Sequence, residues 1–189
     1  LNALMGNWGR KGGLFIQTGM KVESYPLPKY PKSDKPLADN PDGTKYPFAD
    51  EAVTTGIREA TLTGKPYPIK GWFVYATNLI QALPNEAETI QAIQALDLLV
   101  VVDVVGSEIA GWADVVLPEA TYLERYEELN VELFREPFVA LRQPVVEPTA
   151  DQKPNWWIAR ELALKLGLGA YYPWTHIEEY LDTRLRSAG

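Results

Sequence analysis

The chain has 189 residues, of which 46% are hydrophobic and 23% charged, and its formal net charge is −7. This is the composition of a globular domain with its own core, and the acidic balance argues against a nucleic-acid surface, which needs clustered Lys and Arg. The lack of cysteine and the single histidine, His176, exclude thiol nucleophiles, zinc fingers and cysteine-held iron–sulfur clusters from this stretch. The most apolar run, LDLLVVVDVV, contains Asp97 and Asp103 and is too short to cross a bilayer.

The first predicted feature is the end of a helix followed by a glycine-rich loop. Residues 1–5 fit a last helical turn, and GNWGRKGG at 6–13 then breaks it. The loop reads G-x-x-G-x-x-G-G, which matches neither the dinucleotide fingerprint G-x-G-x-x-G nor the P-loop, and no strand precedes it. The spacing therefore favours a tight bend in which glycine supplies positive φ over a phosphate cradle.

A long irregular segment follows the loop. The stretch VESYPLPKYPKSDKPLADNPDGTKYP is rich in proline and charge. Proline lacks an N–H and disfavours helix at the residue before it, so this stretch is predicted to be extended and solvated. The next run, ADEAVTTGIREATLTG, predicts a modest helix that ends at Gly64 and Pro66.

A strand, a helix and a second strand are predicted next, in close succession. GWFVYATN and LLVVVD are apolar and β-branched runs typical of buried strands. Between them, PNEAETIQAIQALD predicts a helix opened by Pro84 and Asn85, with Glu88 completing a capping box. This order predicts a βαβ unit with parallel strands.

The remaining elements extend the sheet and add helices. ADVVLP predicts a short third strand cut off at Pro118, EATYLERYEEL is interpreted as helical or turn-like, and FVALRQPVVEP as extended. NWWIARELALKLG predicts an amphipathic helix ended by Gly167, and a capping box from Thr175 to Glu178 opens a last helix. The predicted fold class is α/β, a Rossmann-like parallel sheet flanked by helices with a long Pro-rich excursion near the N-terminus. The predicted segments are 1–24, 25–69 and 70–189.

Polar residues follow the two central predicted strands. Thr77 and Asn78 come after the first strand, and Asp103, Val104, Gly106 and Ser107 span the end of the second. Open parallel sheets bind ligands beyond the carboxyl ends of their strands, so these residues are the candidate binding site.

Asp103 is the most informative of these candidates. A carboxylate at a strand end can accept hydrogen bonds from ribose hydroxyls, or from the N1–H and 2-amino group of guanine together. TNLIQALPN contains no glycine, which argues against a standard NAD pocket. The alternative interpretation is that Asp103 only caps the turn after its strand.

Two other groups of residues have simpler interpretations. The spacing of Glu119, Glu124, Glu127 and Glu128 is that of an acidic helix face rather than of a catalytic carboxylate pair. The aromatic side chains near the C-terminus could form an anchor for another domain, namely Tyr171, Tyr172 and Trp174.

Several of these runs together resemble one family. Residues 70–148 are similar to the second half of the large domain of molybdopterin oxidoreductases of the dimethyl sulfoxide reductase superfamily. The runs that carry the resemblance are YATNLIQALPN, ALDLLVVVDVVGSEIAGWADVVLPEATYLERYEELN, LRQPVVEP and WWIARELALKLGL, of which ADVVLPEATYLE is the most specific. LNALMGNWGRKGGLFIQ resembles the helix and loop that precede this half. TYLERYEELN and LRQPVVEP resemble polysulfide and thiosulfate reductase catalytic subunits.

The resemblance implies a cofactor and assigns residues to it. Family members bind two molybdopterin guanine dinucleotides that hold one molybdenum, and this chain resembles the part that holds one dinucleotide. Asn78 and Asp103 match the dinucleotide and guanine positions, with Thr77, Val104, Gly106 and Ser107 beside them. Ile109 stands where the family usually has Thr. No catalytic residue and no metal ligand is assigned to this chain.

The resemblance also implies a larger context. The [4Fe–4S] cluster, the protein ligand to molybdenum and a C-terminal barrel are expected in other parts of a longer enzyme, so this chain alone is expected to be inactive. The implied reaction is reduction of a sulfur compound in anaerobic respiration, on the extracytoplasmic face of a bacterial membrane. The expected partners are an iron–sulfur electron-transfer subunit and a membrane anchor subunit, without nucleic acid or direct membrane insertion.

Two alternatives remain at this point. One is the same superfamily with another substrate, such as an arsenic oxyanion, tetrathionate or formate. The other is a non-catalytic nucleotide-binding or interaction module built on the same sheet.

Overall fold

The computed structural model describes residues 1–15, 18–48, 52–133 and 135–188. The chain forms two compact units. One unit comprises Tyr30–Ala120 and Thr149–Lys153, and the other comprises Leu1–Lys29, Thr121–Pro148 and Pro154–Gly189. None of the described helices is long and apolar enough to span a membrane.

A three-stranded parallel sheet forms the centre of the first unit. The strands are β1 (Gly71–Tyr75), β2 (Leu98–Asp103) and β3 (Val115–Pro118), and their order in the sheet is β1-β2-β3. Tyr75 pairs with Val102, and Asp103 pairs with Pro118. The predicted strands and the parallel βαβ unit are therefore confirmed.

Three helices accompany the sheet. They are α1 (Thr54–Thr63), α2 (Leu79–Ala82) and α3 (Glu86–Gln94). Helix α1 ends at Gly64, which has a φ of 67° as a left-handed cap requires. The first part of the range predicted for this helix, residues 49–51, lies outside the described residues. Asn85 caps α3 as predicted, but the Glu88 carboxylate accepts from the Asn85 side-chain amide (3.1 Å). The single turn of α2 had no sequence signal.

The core of this unit lies on one face of the sheet. Trp72, Val74, Leu99 and Val101 point toward this face, where Ile80, Ala92, Ile93 and Ile109 complete the buried cluster. The Trp72 indole N–H donates to the Thr61 hydroxyl of α1 (3.1 Å), which satisfies its polar atom within the core. On the opposite face, Phe73 is 55% exposed and Val115 is 42% exposed.

Gly56 in α1 is the position where a methyl group is expected to be most harmful. A Cβ there would lie 2.3 Å from the Cβ of Asp39, which is buried and accepts from the Val53 N–H at the start of the helix (2.6 Å). Gly-to-Ala in a helix usually stabilises by about 0.5–1 kcal/mol, whereas overpacking costs about 1–3 kcal/mol. Gly56→Ala is therefore expected to lower the free energy of unfolding.

A matched control for this substitution lies in the same unit. A Cβ at Gly111 would meet no atom within 4 Å, so Gly111→Ala is expected to be neutral or mildly stabilising. Denaturant titration of both variants measures the difference. Equal midpoints for the two variants would show that Asp39 yields to the added methyl.

The glycine-rich loop of the second unit is a tight bend, as predicted. Gly6, Gly9 and Gly12 have positive φ. The Gly9 N–H donates to the Leu14 carbonyl (2.7 Å), and the Leu14 N–H returns a bond to the Asn7 carbonyl (2.9 Å). The backbone N–H groups of Gly9 and Leu14 are thus paired within the loop.

The helices of the second unit are α4 (Asn155–Lys165) and α5 (Ile177–Arg186). Gly167 follows α4 with a φ of 74°, as predicted, but the box predicted from Thr175 to Glu178 is wrong by one residue. The N-cap of α5 is His176, whose N–H donates to Glu179 Oε1 (3.3 Å). Of the two forms predicted for EATYLERYEEL, helix or turn, the structure has the turn, at residues 122–124, so the acidic helix face inferred for its glutamates is wrong.

An aromatic cluster lies inside this second unit. Trp174 is only 5% exposed and packs on Tyr25 (5.0 Å between centroids), Tyr180 (4.7 Å) and Tyr172 (5.5 Å). Trp174 is therefore buried in its own unit, and its predicted role as an anchor for another domain is wrong.

Tyr180 is expected to make the stability of this unit fall at alkaline pH. Burial raises the pKa of its hydroxyl above the usual 10.0, and a hydrogen bond to the Glu128 carboxylate raises it further. A raised folded-state pKa stabilises below pH 10, and this stabilisation is lost as pH rises through the folded pKa. Tyr180→Phe is therefore expected to cost more stability at about pH 9 than at about pH 11 in denaturant titrations. An equal cost at both would contradict the assignment.

Candidate functional site

The predicted site residues lie at one edge of the sheet. Because all three strands are parallel and in register, the ends of β1, β2 and β3 meet at the same edge. The structure thus brings the segment after β1, with Thr77 and Asn78, next to the segment after β2, with Asp103 to Ser107. This is the part of an open parallel sheet where ligands bind.

The segment after β1 turns sharply and contains a buried acceptor without a partner. Ala76 has a φ of 52°, which is uncommon for a residue with a Cβ, and its N–H donates to the Val102 carbonyl (3.0 Å). Asn78 then begins α2 without a side-chain capping bond. Its Oδ1 is buried and has no hydrogen-bond partner among the described residues. A buried acceptor without a partner is costly, so this oxygen suits a donor supplied by a ligand.

Asp103 organises the loop that follows β2. One carboxylate oxygen accepts from the Val104 N–H (2.7 Å) and from the Val105 N–H (3.4 Å), and the other accepts from the Ser107 hydroxyl (2.7 Å). These contacts are the turn-capping role that was the alternative interpretation of Asp103. They do not fill the carboxylate, because each oxygen offers about two lone pairs. Capping and ligand binding are therefore compatible at this residue.

The loop after Asp103 presents an open apolar surface. Val105 is 65% exposed, and Val104 is also exposed. A Cβ at Gly106 would meet no atom within 4 Å, so the space at this position of the loop is open. The Ser107 hydroxyl is used in its bond to Asp103. At the far end of the loop, Gln81 of α2 donates to the Glu108 carboxylate (3.2 Å) and joins the two segments.

Glu119, which was predicted only as part of an acidic helix face, lies at the same sheet edge as the candidate binding residues. Its side chain is 3% exposed, and its Oε1 accepts from the Tyr75 hydroxyl (2.8 Å). Its N–H donates to the Asp103 carbonyl (3.0 Å). A signal was present, because Pro118 ends the third strand and the next residue necessarily lies at the same sheet edge.

The donor and acceptor atoms of this edge suit an organic ligand. In the described parts of the chain, no group of three or more His, Cys, Asp or Glu could hold a metal ion. The edge instead combines a buried amide oxygen, a half-buried carboxylate and exposed valine side chains.

The sequence model of the family described as Molybdopterin oxidoreductase matches residues 1–165. The chain belongs to this family. Thiosulfate reductase molybdopterin-containing subunit PhsA of Salmonella typhimurium is 39% identical over 94% of the chain, and acetylene hydratase of Syntrophotalea acetylenica is 34% identical over 73%. The resemblance seen in the sequence, including its superfamily, is therefore confirmed.

A solved structure is also similar. Acetylene hydratase from Pelobacter acetylenicus matches 75% of the chain with a TM-score of 0.67 and 34% sequence identity, which confirms the α/β fold class. The chain covers 25% of the thiosulfate reductase subunit and 19% of either acetylene hydratase. The chain thus corresponds to about a quarter or less of these relatives.

Proposed function

We propose that this chain is part of the catalytic subunit of a molybdenum bis(molybdopterin guanine dinucleotide) oxidoreductase and holds one of the two dinucleotides. The observation that carries the proposal is the pair of acceptors at neighbouring strand ends, the unpaired Oδ1 of Asn78 and the carboxylate of Asp103. Family membership supplies the molybdopterin cofactor, and the acceptor pair supports its guanine dinucleotide form.

Guanine is the group that Asp103 would hold. Its N1–H and 2-amino group are parallel donors that one carboxylate can accept together. The exposed face of Val104 and the open space at Gly106 would receive the flat ring. Asn78 Oδ1, with Thr77 beside it, would accept a hydrogen bond from another donor group of the dinucleotide. The Ser107 hydroxyl would hold the Asp103 carboxylate in place.

The chemistry itself belongs to the rest of the enzyme. When bound, the molybdenum cofactor supplies two-electron transfer with exchange of an oxygen or sulfur atom. The residues of this chain bind and orient the organic part of the cofactor, and none is assigned as a catalytic group or metal ligand. Molybdenum and the [4Fe–4S] cluster would be held elsewhere, so residues 70–189 would act only as the dinucleotide-binding part, preceded by segments 1–24 and 25–69.

A sulfur compound such as polysulfide or thiosulfate is the substrate we favour. The 39% identity to a thiosulfate reductase subunit extends over 94% of the chain, whereas the arsenate respiratory reductase subunit ArrA of Chrysiogenes arsenatis is 28% identical. This ranking supports a sulfur substrate over an arsenic oxyanion. An iron–sulfur subunit, a membrane anchor and an extracytoplasmic location complete the proposal by analogy with such reductases.

The intact subunit, purified from an anaerobic host, tests the proposal. We expect about two guanine nucleotides per molybdenum after acid release, since two dinucleotides hold one metal. Dye-linked turnover should be faster with polysulfide or thiosulfate than with arsenate, tetrathionate or formate. Molybdenum without guanine would refute the dinucleotide form, and nucleotide without molybdenum would favour the non-catalytic module.

A further inference from the structure

Glu119 is bonded to both strands that carry the proposed dinucleotide site. Its backbone N–H donates to the carbonyl of Asp103 at the end of β2 (3.0 Å), and its carboxylate accepts from the Tyr75 hydroxyl at the end of β1 (2.8 Å). Glu119 itself is almost fully buried. Glu119 therefore lies outside both binding segments but connects the ends of β1 and β2, where those segments begin.

The Tyr75–Glu119 bond spans the central strand. The strand order is β1-β2-β3, so β1 and β3 share no ladder, and this contact links their ends across the end of β2. Tyr75 directly precedes Ala76, whose left-handed φ of 52° starts the turn into Thr77 and Asn78. Fixing the Tyr75 side chain thus fixes the residue from which this strained turn departs.

The end of β3 is itself held in place. The Lys153 N–H donates to the Pro118 carbonyl (3.1 Å), and the Ala120 N–H donates to the Lys153 carbonyl (3.0 Å). These two bonds flank Glu119 on either side along the chain. The backbone is therefore hydrogen-bonded on both sides of Glu119. This fixes the position of Glu119, as its bond to the Tyr75 hydroxyl requires if that bond is to hold Tyr75 in place.

We infer that Tyr75 and Glu119 form a clasp of positioning residues, which sets the separation between the Asn78 acceptor and the Asp103 carboxylate. Neither residue is assigned a contact with the cofactor. The inference rests on the proposed function, because the separation matters only if one ligand engages both strand ends. It extends that function by assigning part of dinucleotide retention to a bond that touches no ligand.

Tyr75→Phe in the intact enzyme is the decisive variant, because it removes only the hydroxyl. We expect the dinucleotide to be released about 3- to 10-fold faster, as measured by guanine remaining on the protein after timed gel filtration. Tyr67→Phe is the matched control, since the Tyr67 hydroxyl donates to the Pro36 carbonyl over the same 2.8 Å but lies away from the strand ends. The control is expected to release the dinucleotide at the wild-type rate.

Variants of Glu119 separate positioning from general stability. Glu119→Gln keeps an oxygen that accepts from Tyr75 and should retain the dinucleotide better than Glu119→Ala. The double variant of Tyr75→Phe with Glu119→Ala should be no worse than Glu119→Ala alone, because one bond is lost in both. If Glu119→Ala does not fold, Tyr75→Phe and its control decide the question. A lower melting temperature for Tyr75→Phe with an unchanged release rate would overturn the clasp.

Asp103→Ala, measured alongside, keeps the two proposals apart. Rapid loss of guanine in Asp103→Ala with wild-type release in Tyr75→Phe would refute the clasp and leave the proposed site intact. Faster release in Tyr75→Phe with full retention in Asp103→Ala would refute the guanine contact and with it the clasp, because the Asp103 carboxylate would then not engage the ligand whose placement the clasp is inferred to set. Wild-type release in both would refute both.

Discussion

Asp103→Ala is expected to strip the guanine dinucleotide from the intact enzyme. The substitution removes the acceptor for two guanine donors, and it also releases the Val104 N–H and the Ser107 hydroxyl from the bonds that shape the loop. Hydrogen bonds to charged groups contribute about 1.5–3 kcal/mol each, so losing the acceptor for two of them should weaken retention by at least about 100-fold. Guanine and molybdenum content of the purified enzyme measures the loss.

Ser107→Ala distinguishes the two roles of Asp103. It removes one bond within the loop but leaves both carboxylate oxygens for the ligand, so cofactor content should fall far less than in Asp103→Ala. Asp103→Asn keeps an oxygen for Val104 but presents an amide N–H₂ to the guanine donors, and it should resemble the alanine variant. Full cofactor content in Asp103→Ala would show that this carboxylate only caps its turn.

Arg58→Ala is expected to cause a large loss of stability. The Arg58 guanidinium is buried, pairs with the Glu88 carboxylate (2.8 Å) and donates to the Thr89 hydroxyl (3.0 Å) and to the Pro84 carbonyl. It therefore ties α1 to the beginning of α3. Removing one partner from a fully buried ion pair costs about 3–5 kcal/mol, and the loss here should fall below that range, because the Glu88 side chain is 35% exposed and can be hydrated once Arg58 is gone.

Arg58→Lys is the matched variant for this prediction. Lysine keeps the positive charge but presents a single ammonium in place of the planar guanidinium. It therefore cannot contact all the partners of Arg58 at once. We expect an unfolding midpoint between those of wild type and Arg58→Ala in denaturant titrations. Wild-type stability in Arg58→Ala would mean that these groups find water or other partners once the guanidinium is gone.

The sheet could be predicted from the sequence because its signals are local. Strands β1 and β2 are runs of aromatic and β-branched residues. Pro118 marks the end of β3, and Asn85 predicts the start of α3. Each of these depends on backbone preferences of a few neighbouring residues, which a sequence displays directly. The weaker signal of EATYLERYEEL left helix and turn both open. The turn forms because the Glu124 carboxylate accepts from the Thr121 N–H and hydroxyl.

The candidate site was predictable only in part. The strand-end rule located Asn78 and Asp103, yet a sequence cannot tell a capping carboxylate from a binding one, because both roles need the same residue in the same place. The bond between Tyr75 and Glu119 joins residues 44 positions apart and depends on the strand order. Such a contact has no local signature, so it emerged only with the register of the sheet.

One part of the sheet face opposite the core is exposed, and this affects how the chain is expected to behave when it is expressed by itself. Phe73, Val100 and Val115 stand in one row across the three strands, and both end members are exposed. Parallel sheets are normally covered on both faces. This exposed apolar row would therefore promote self-association if the chain were expressed by itself. Threonine at Phe73 and Val115 would place a polar, β-branched side chain on each strand and so reduce the exposed apolar surface. A version of this chain that associates less should therefore be sought by substituting the exposed residues of this sheet face, with the strand ends left unchanged.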